Sequence, residues 1–265
     1  MKKKTLYFSL LSLISLLLLL TLHLNNTYSE FNSSNVRNNI YVLSSNTLGG
    51  RLAGSTENEI AAEIIKNRFI NCGLKSLNND GKYTQTFNTV CPVITNSSPY
   101  LKIENNGEVE EELQYGVDFK EDMINFKNNT FSFSKSDKIN SYLSYLDITC
   151  NDGSFLLYVP KNNDFSFRSS FFSDFSKDAV IMISQNTFNK VLNSLNEGKE
   201  ISIHIPFEEE EKTISNVIGV IKGFNSSLPP FIVTAHYDHL GKDGLGVNYS
   251  GAIDHASGTS FVLEL

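Results

Sequence analysis

The sequence predicts an α/β protein with a smaller, β-rich α+β module set into the chain. Three observations carry that prediction. Residues 56–71 repeat apolar side chains at helical spacing, and residues 100–212 break into short strand-like pieces. Residues 216–265 then read as two apolar strands, a glycine-bounded turn and a helix. A length of 265 residues suffices for one sizeable domain or two small ones. Hydrophobic content of 40% and charged content of 19% are those of a folded chain and exclude disorder throughout. With 22 basic against 29 acidic residues, a formal charge of −7 and no basic stripe beyond the first four residues, nucleic acid is excluded as a partner.

The elements follow in order. Lys2, Lys3 and Lys4 precede an almost wholly apolar run from Leu6 to Leu24, and Thr27-Tyr28-Ser29 offers small residues for a cut. This is the pattern of a secretory signal. The run also approaches the length of a spanning helix, so an uncleaved anchor is the alternative. Either form exports the chain, and the lack of a cysteine near the end of the run argues against a lipoprotein. Glu30 to Val42 starts polar and turns apolar. Gly49, Gly50 and Gly54 around Arg51 predict a tight, exposed loop. Thr56 with Glu59 has the spacing of a capping box. Ala61, Ile65 and Phe69, widened by Ile60 and Ile64, predict a helix of about four turns, stopped at Cys72-Gly73.

Tyr83 to Val90 alternates as a strand that Cys91-Pro92 should end. Phe155 to Val159 and Ala179 to Ile183 are runs of buried-strand length. Thr187 to Leu195 reads as a helix closed by Glu197-Gly198, and Ile201 to Ile205 alternates again. Glu208 to Glu211 reads as a solvated stretch beside a strand. Asn216 to Lys222 and Phe231 to Ala235 read as strands whose link, Gly223 to Pro230, is too short for a helical crossover and predicts an antiparallel hairpin. The closing helix, 257–265, carries Phe261, Val262 and Leu265 on one side. Cys72, Cys91 and Cys150 form no Cys-x-x-Cys pair. They fit either one disulfide with a free thiol or three thiols buried as small apolar residues.

Chemistry concentrates in 232-IVTAHYDHLGKDGLGVNYSGAIDHASGTSFVLEL-265. His236 leaves an apolar strand, and an extended backbone would put Asp238 on the same side. Such a carboxylate takes the free ring N–H and leaves the other nitrogen for a metal, or simply satisfies the histidine with no metal present. Asp254 follows Gly251-Ala252-Ile253 and precedes Ala256-Ser257-Gly258. A short carboxylate there could bridge two cations, or Asp254 or Ser257 could merely cap the helix.

AHYDHLG followed by SGAIDHASGT resembles the paired motifs of the secreted zinc aminopeptidases with two co-catalytic metals, a group that includes relatives of glutamate carboxypeptidase and the transferrin receptor. Upstream, LGGRLAGSTENEIAAEIIKNRFINCGLKSLNNDGKYTQTF is similar to that family's N-terminal segment. VIMISQNTFNKVLNSLNEGKEISIHI resembles the end of a protease-associated insertion. The resemblance covers about 36–90 and 177–265. It implies a signal or anchor at 1–29, the N-terminal part of a peptidase domain at 30–99, a protease-associated-like insertion at 100–212, and at 213–265 the start of a mixed-sheet zinc exopeptidase core. It further implies His236 as a ligand of the first zinc, Asp238 as the aspartate that orients it, and Asp254 as the bridge between both zincs. His239 is not a ligand in that pattern. His255 stands where the family usually has Asn or Asp, after a peptide bond that is often cis. The family's general-base glutamate and three of five zinc ligands have no match here, since Leu265 stands eleven residues after Asp254. The expectation is therefore a truncated, inactive piece of an exported aminopeptidase acting on peptides, or a site completed by a partner chain. The alternative is a non-catalytic binding protein built on the protease-associated module.

Overall fold

The helix spacing read from residues 56–71 is realised as α2 (Thr56–Asn71) in the computed structural model, which describes residues 13–17, 31–124, 128–166, 176–225 and 227–265. Ala61, Ala62 and Ile65 form its buried stripe, and Cys72 caps its end before Gly73 turns left-handed at φ 77°. Its N-cap is Ser55, whose Oγ accepts from Asn58 N at 3.1 Å. The expected Thr56–Glu59 capping box is thus shifted by one residue, because Ser55 holds the extended φ/ψ that a cap requires. An additional helix, α1 (Ser33–Leu43), precedes it, capped by Asn32.

The chain is a mixed α/β protein, and among the described residues its strands form three sheets. β1 (Thr84–Ile94) pairs antiparallel with β11 (Phe207–Val217) in a two-stranded ribbon that brackets everything between them. The expected strand end at Cys91-Pro92 is not observed. β1 has a partner on one side only, so Pro92, opposite Glu209, gives up no second ladder bond. Glu208 to Glu211 lie within β11 and face solvent.

Inside the bracket, β2 (Tyr100–Asn105), β3 (Glu108–Leu113), β5 (Thr130–Phe133) and β10 (Glu200–His204) form an antiparallel sheet in the order β3-β2-β10-β5. β4 (Phe119–Ile124), β6 (Lys138–Ser141), β7 (Tyr145–Cys150), β8 (Gly153–Tyr158) and β9 (Ala179–Ile183) form the other, in the order β4-β9-β8-β7-β6. Only β8 and β9 run parallel in it. The main core lies between these sheets. Phe131 packs on Phe155 at 4.5 Å and Phe133 meets Phe155 edge-on at 5.4 Å, while all five residues of β9 are buried. Helix α3 (Gln185–Asn196), capped by Ser184, adds Phe188, Val191 and Leu195 to that core. A second, small core of Leu43, Leu48, Ala61 and Ala256 supports the C-terminal segment, with Ile64 and Tyr237 packed on it.

That segment departs from expectation. Residues 216 and 217 close β11, but 218–222 and 231–235 join no sheet, so the expected hairpin does not form. Phe231 is 93% exposed and Ile232 71%, and among the described residues no strand pairs with them to bury that surface. Helix α4 (Ser257–Val262) does follow the glycine turn. Its buried side is Thr259 and Ser260 with Leu263 just beyond, whereas Phe261 and Leu265 are exposed. All three cysteines are free thiols; Cys91 is buried and Cys72 is exposed. The signal or anchor expected at 1–29 lies outside the described residues except for 13–17, which are helical. No helix of the described residues is long and apolar enough to cross a membrane.

Candidate metal centre

Two loops, 236–241 and 249–256, meet at the C-terminal end of the small core. Residues 49–52 run between them and the helices. Gly241 N donates to Gly50 O at 3.0 Å and His239 N to Arg51 O at 3.1 Å, with a parallel bridge from Leu52 to His239. The contact is backbone on backbone: a Cβ on Gly50 would come within 2.3 Å of Gly241 O. Thr259 Oγ1 on α4 donates to His236 O at 2.8 Å, and Tyr237 OH donates to Ser215 O on β11. The first loop is therefore pinned from both sides.

His236, Asp238 and Asp254 lie together in the structure. His236 Nδ1 lies 3.2 Å from Asp238 O and 3.5 Å from Asp238 Oδ1. Both are acceptors, and the other ring nitrogen, Nε2, faces a third, Asp254 Oδ1, at 3.1 Å. Asp254 sits in the turn 252–256 with a non-helical backbone, φ −113° and ψ 92°, and its bond to His255 is cis. It caps nothing: α4 has no side-chain cap, and Ser257 Oγ donates to Ile253 O at 2.8 Å. His239 Nδ1 stands 3.7 Å from the other oxygen, Asp254 Oδ2. The His255 ring stacks on His236, centroids 4.7 Å apart and planes 22° apart. Asp254 is open to solvent and His236, covered on one face by His255, is half exposed, which gives a ligand access.

The loop from 241 to 250 is held by the β-sheets. Lys120 on β4 forms a buried ion pair with Asp243, Nζ to Oδ2 3.0 Å, and lies over the Tyr249 ring. Gly244 N donates to Tyr115 OH at 3.0 Å, and that hydroxyl donates to Glu121. Asp243 Oδ1 accepts from Leu245 N and Val247 N.

Sequence reasoning placed Arg51 in an exposed loop, and the structure corrects this. Arg51 is fully buried, at 0% exposure and φ 49°. Its Nε donates to Tyr237 O at 2.8 Å, Nη1 to Ser250 O at 2.9 Å and to Leu43 O, and Nη2 to Gly251 O at 3.0 Å. A charged group survives burial when its donors are all met. Burial lowers its pKa, and the charges of Asp238 and Asp254 oppose that. The one signal for this in the sequence is an arginine set among three glycines and flanked by Leu48 and Leu52.

Zinc implied by the resemblance can be tested against this geometry. An imidazole nitrogen and a carboxylate oxygen 3.1 Å apart call for a proton or a cation between them. Zinc bonds of about 2.0–2.2 Å at a near-tetrahedral angle put two donors about 3.3–3.5 Å apart. An imidazole nitrogen facing a carboxylate fits that ion in chemistry, while their 3.1 Å separation falls a few tenths of an ångström short of its spacing. Among the described residues, no three His, Cys, Asp or Glu side chains converge on one cation position.

The site is thus a histidine–aspartate pair on adjoining loops. Residues 216–265 match Peptidase family M28, so the resemblance read from AHYDHLG and SGAIDHASGT holds over that segment. Among curated proteins none matches the chain. Similar solved structures include an aminopeptidase from Aneurinibacillus sp. strain AM-1, at 18% identity over 88% of this chain and 58% of that one, TM-score 0.47. Another is BSAP, a zinc aminopeptidase from Bacillus subtilis, at 17% identity over 89% and 57%, TM-score 0.49. The chain therefore spans less than two thirds of the length of either.

Proposed function

We propose that the protein is a metallopeptidase of the zinc aminopeptidase type, whose residues 236–254 hold part of the metal site. The observation that carries this is the 3.1 Å approach of His236 Nε2 to Asp254 Oδ1, with Nδ1 held by Asp238. In this reading His236 and Asp254 hold the cation. Asp238 fixes the imidazole tautomer so that Nε2 keeps its lone pair. The second oxygen of Asp254, 3.7 Å from His239 Nδ1, would be available to another cation. When bound, zinc supplies Lewis acidity, acidifying water and polarising a peptide carbonyl. The open face over His236 and Asp254 is where an extended peptide terminus would lie. No residue of the chain is assigned the general-base role. The reading extends to peptides as substrates, export through the N-terminal segment, residues 100–212 as a protease-associated-like module, and a partner chain as one source of further ligands.

The test is a zinc titration of the purified chain. His236→Ala and Asp254→Asn should each weaken zinc binding by about 10-fold or more, and unchanged binding in both would end the proposal. A second reading, a binding protein without catalysis, is favoured by the lack of three convergent donors among the described residues. Release of nitroaniline from an aminoacyl-nitroanilide by the zinc-loaded chain separates the two, since only the first reading yields product.

A further inference from the structure

We propose that Arg51 is the positioning residue of the metal centre, a buried guanidinium clamp that presets the distance between His236 and Asp254 before a cation arrives. The inference rests on the reading of those two residues as ligands and names what holds them. Each loop is bonded by the same side chain. Tyr237 O, next to His236, accepts from Nε; Ser250 O and Gly251 O, at the start of the Asp254 turn, accept from Nη1 and Nη2. Nη1 also donates to Leu43 O at the end of α1, which ties the fork to the small core. One rigid planar group thus fixes three chain segments that the sequence places far apart.

The surroundings are built to receive it. Asn58 Nδ2 on α2 donates to Arg51 O at 3.3 Å, and Arg51 N donates to Leu48 O at 2.8 Å. Gly251 leaves the room: a Cβ there would come within 2.7 Å of Arg51 Nη2 and 2.5 Å of the His239 ring. Lysine carries the same charge but cannot reproduce a planar fork aimed at separate carbonyls. An apolar residue would strand those carbonyls without donors.

Position and charge predict opposite signs, which makes the role testable. The guanidinium charge disfavours a second cation nearby. If charge alone mattered, Arg51→Gln would tighten zinc and Arg51→Lys would leave it unchanged. A clamp predicts that both weaken zinc by about 10- to 100-fold, the range for residues that orient ligands.

The experiment is a zinc titration of the full chain, its Arg51→Lys and Arg51→Gln variants, and His236→Ala as the control for site identity. Circular dichroism establishes folding. Amide hydrogen exchange, read without metal, should rise in 236–241 and 250–256 of Arg51→Lys while β7 to β9 stay protected. Wild-type affinity and exchange in Arg51→Lys would overturn the clamp. Loss of the His236→Ala effect, with exchange still raised in Arg51→Lys, would instead overturn the ligand assignment and leave the clamp standing. If both Arg51 variants unfold, Asn58→Ala, which removes one of the two donors to the Arg51 carbonyl and keeps the guanidinium, takes their place. It should weaken zinc several-fold and raise exchange in the same two loops, and wild-type behaviour in both would count against the clamp.

Discussion

At Gly258 one methyl group separates a helix preference from the integrity of the site. Glycine inside a helix normally costs about 1 kcal/mol relative to alanine, so Gly258→Ala should on propensity alone stabilise α4. Here a Cβ would lie 1.7 Å from His255 Cε1, inside the ring. His255 is stacked on His236, and its Nδ1 is buried without a hydrogen-bond partner among the described residues. The clash should win: Gly258→Ala is expected to destabilise by about 1–3 kcal/mol and to move the His236 ring. A thermal melt together with imidazole NMR checks both parts. His255 was legible only as a departure from a family pattern. Its packing role comes from a neighbour three residues on, which no spacing rule would single out. Arg51 shows the same limit, since a glycine-rich string reads as an exposed turn until the four carbonyls that receive its donors are known.

Among elements, the 241–250 loop depends on β4 more than on its own sequence. The Lys120–Asp243 pair is buried on both sides, and removing one partner leaves a buried charge without its counter-ion. Lys120→Met should therefore cost about 3–5 kcal/mol in urea unfolding, and the Lys120→Met, Asp243→Leu double variant should cost less than the single one. Burial alone would lower the Lys120 pKa, but hydrogen bonds to Tyr249 and Asp243 outweigh it and hold the amine above the ordinary lysine value. Its contribution is then complete below the unfolded lysine pKa and is lost as pH rises through the folded one. Wild type and Lys120→Met should converge in stability only in alkaline solution. The elements that the sequence revealed are those with internal signals: α2 by its period, β8 and β9 by unbroken apolar runs, α3 by its stop at Gly198. Charged strands such as β3, with its run of glutamates, hold their place by pairing with β2, which no local pattern records. Phe231 to Ala235 shows the converse, an apolar strand pattern with no partner among the described residues to pair with it.

For the whole molecule, two cores divide the work. The large core between the two sheets stabilises a β-rich body, and the small one under α1, α2 and α4 carries the candidate centre. The small core buries little apolar surface, so the centre relies on hydrogen bonds from Arg51, Thr259 and Tyr237 to hold its loops. The central claim is that His236 and Asp254 face each other as ligands of one metal ion. Anomalous X-ray scattering at the zinc edge, on crystals grown with zinc, tests it most directly. A peak about 2.0–2.2 Å from both His236 Nε2 and Asp254 Oδ1 is the expected result, and a zinc-loaded crystal with no density between those two atoms would contradict it.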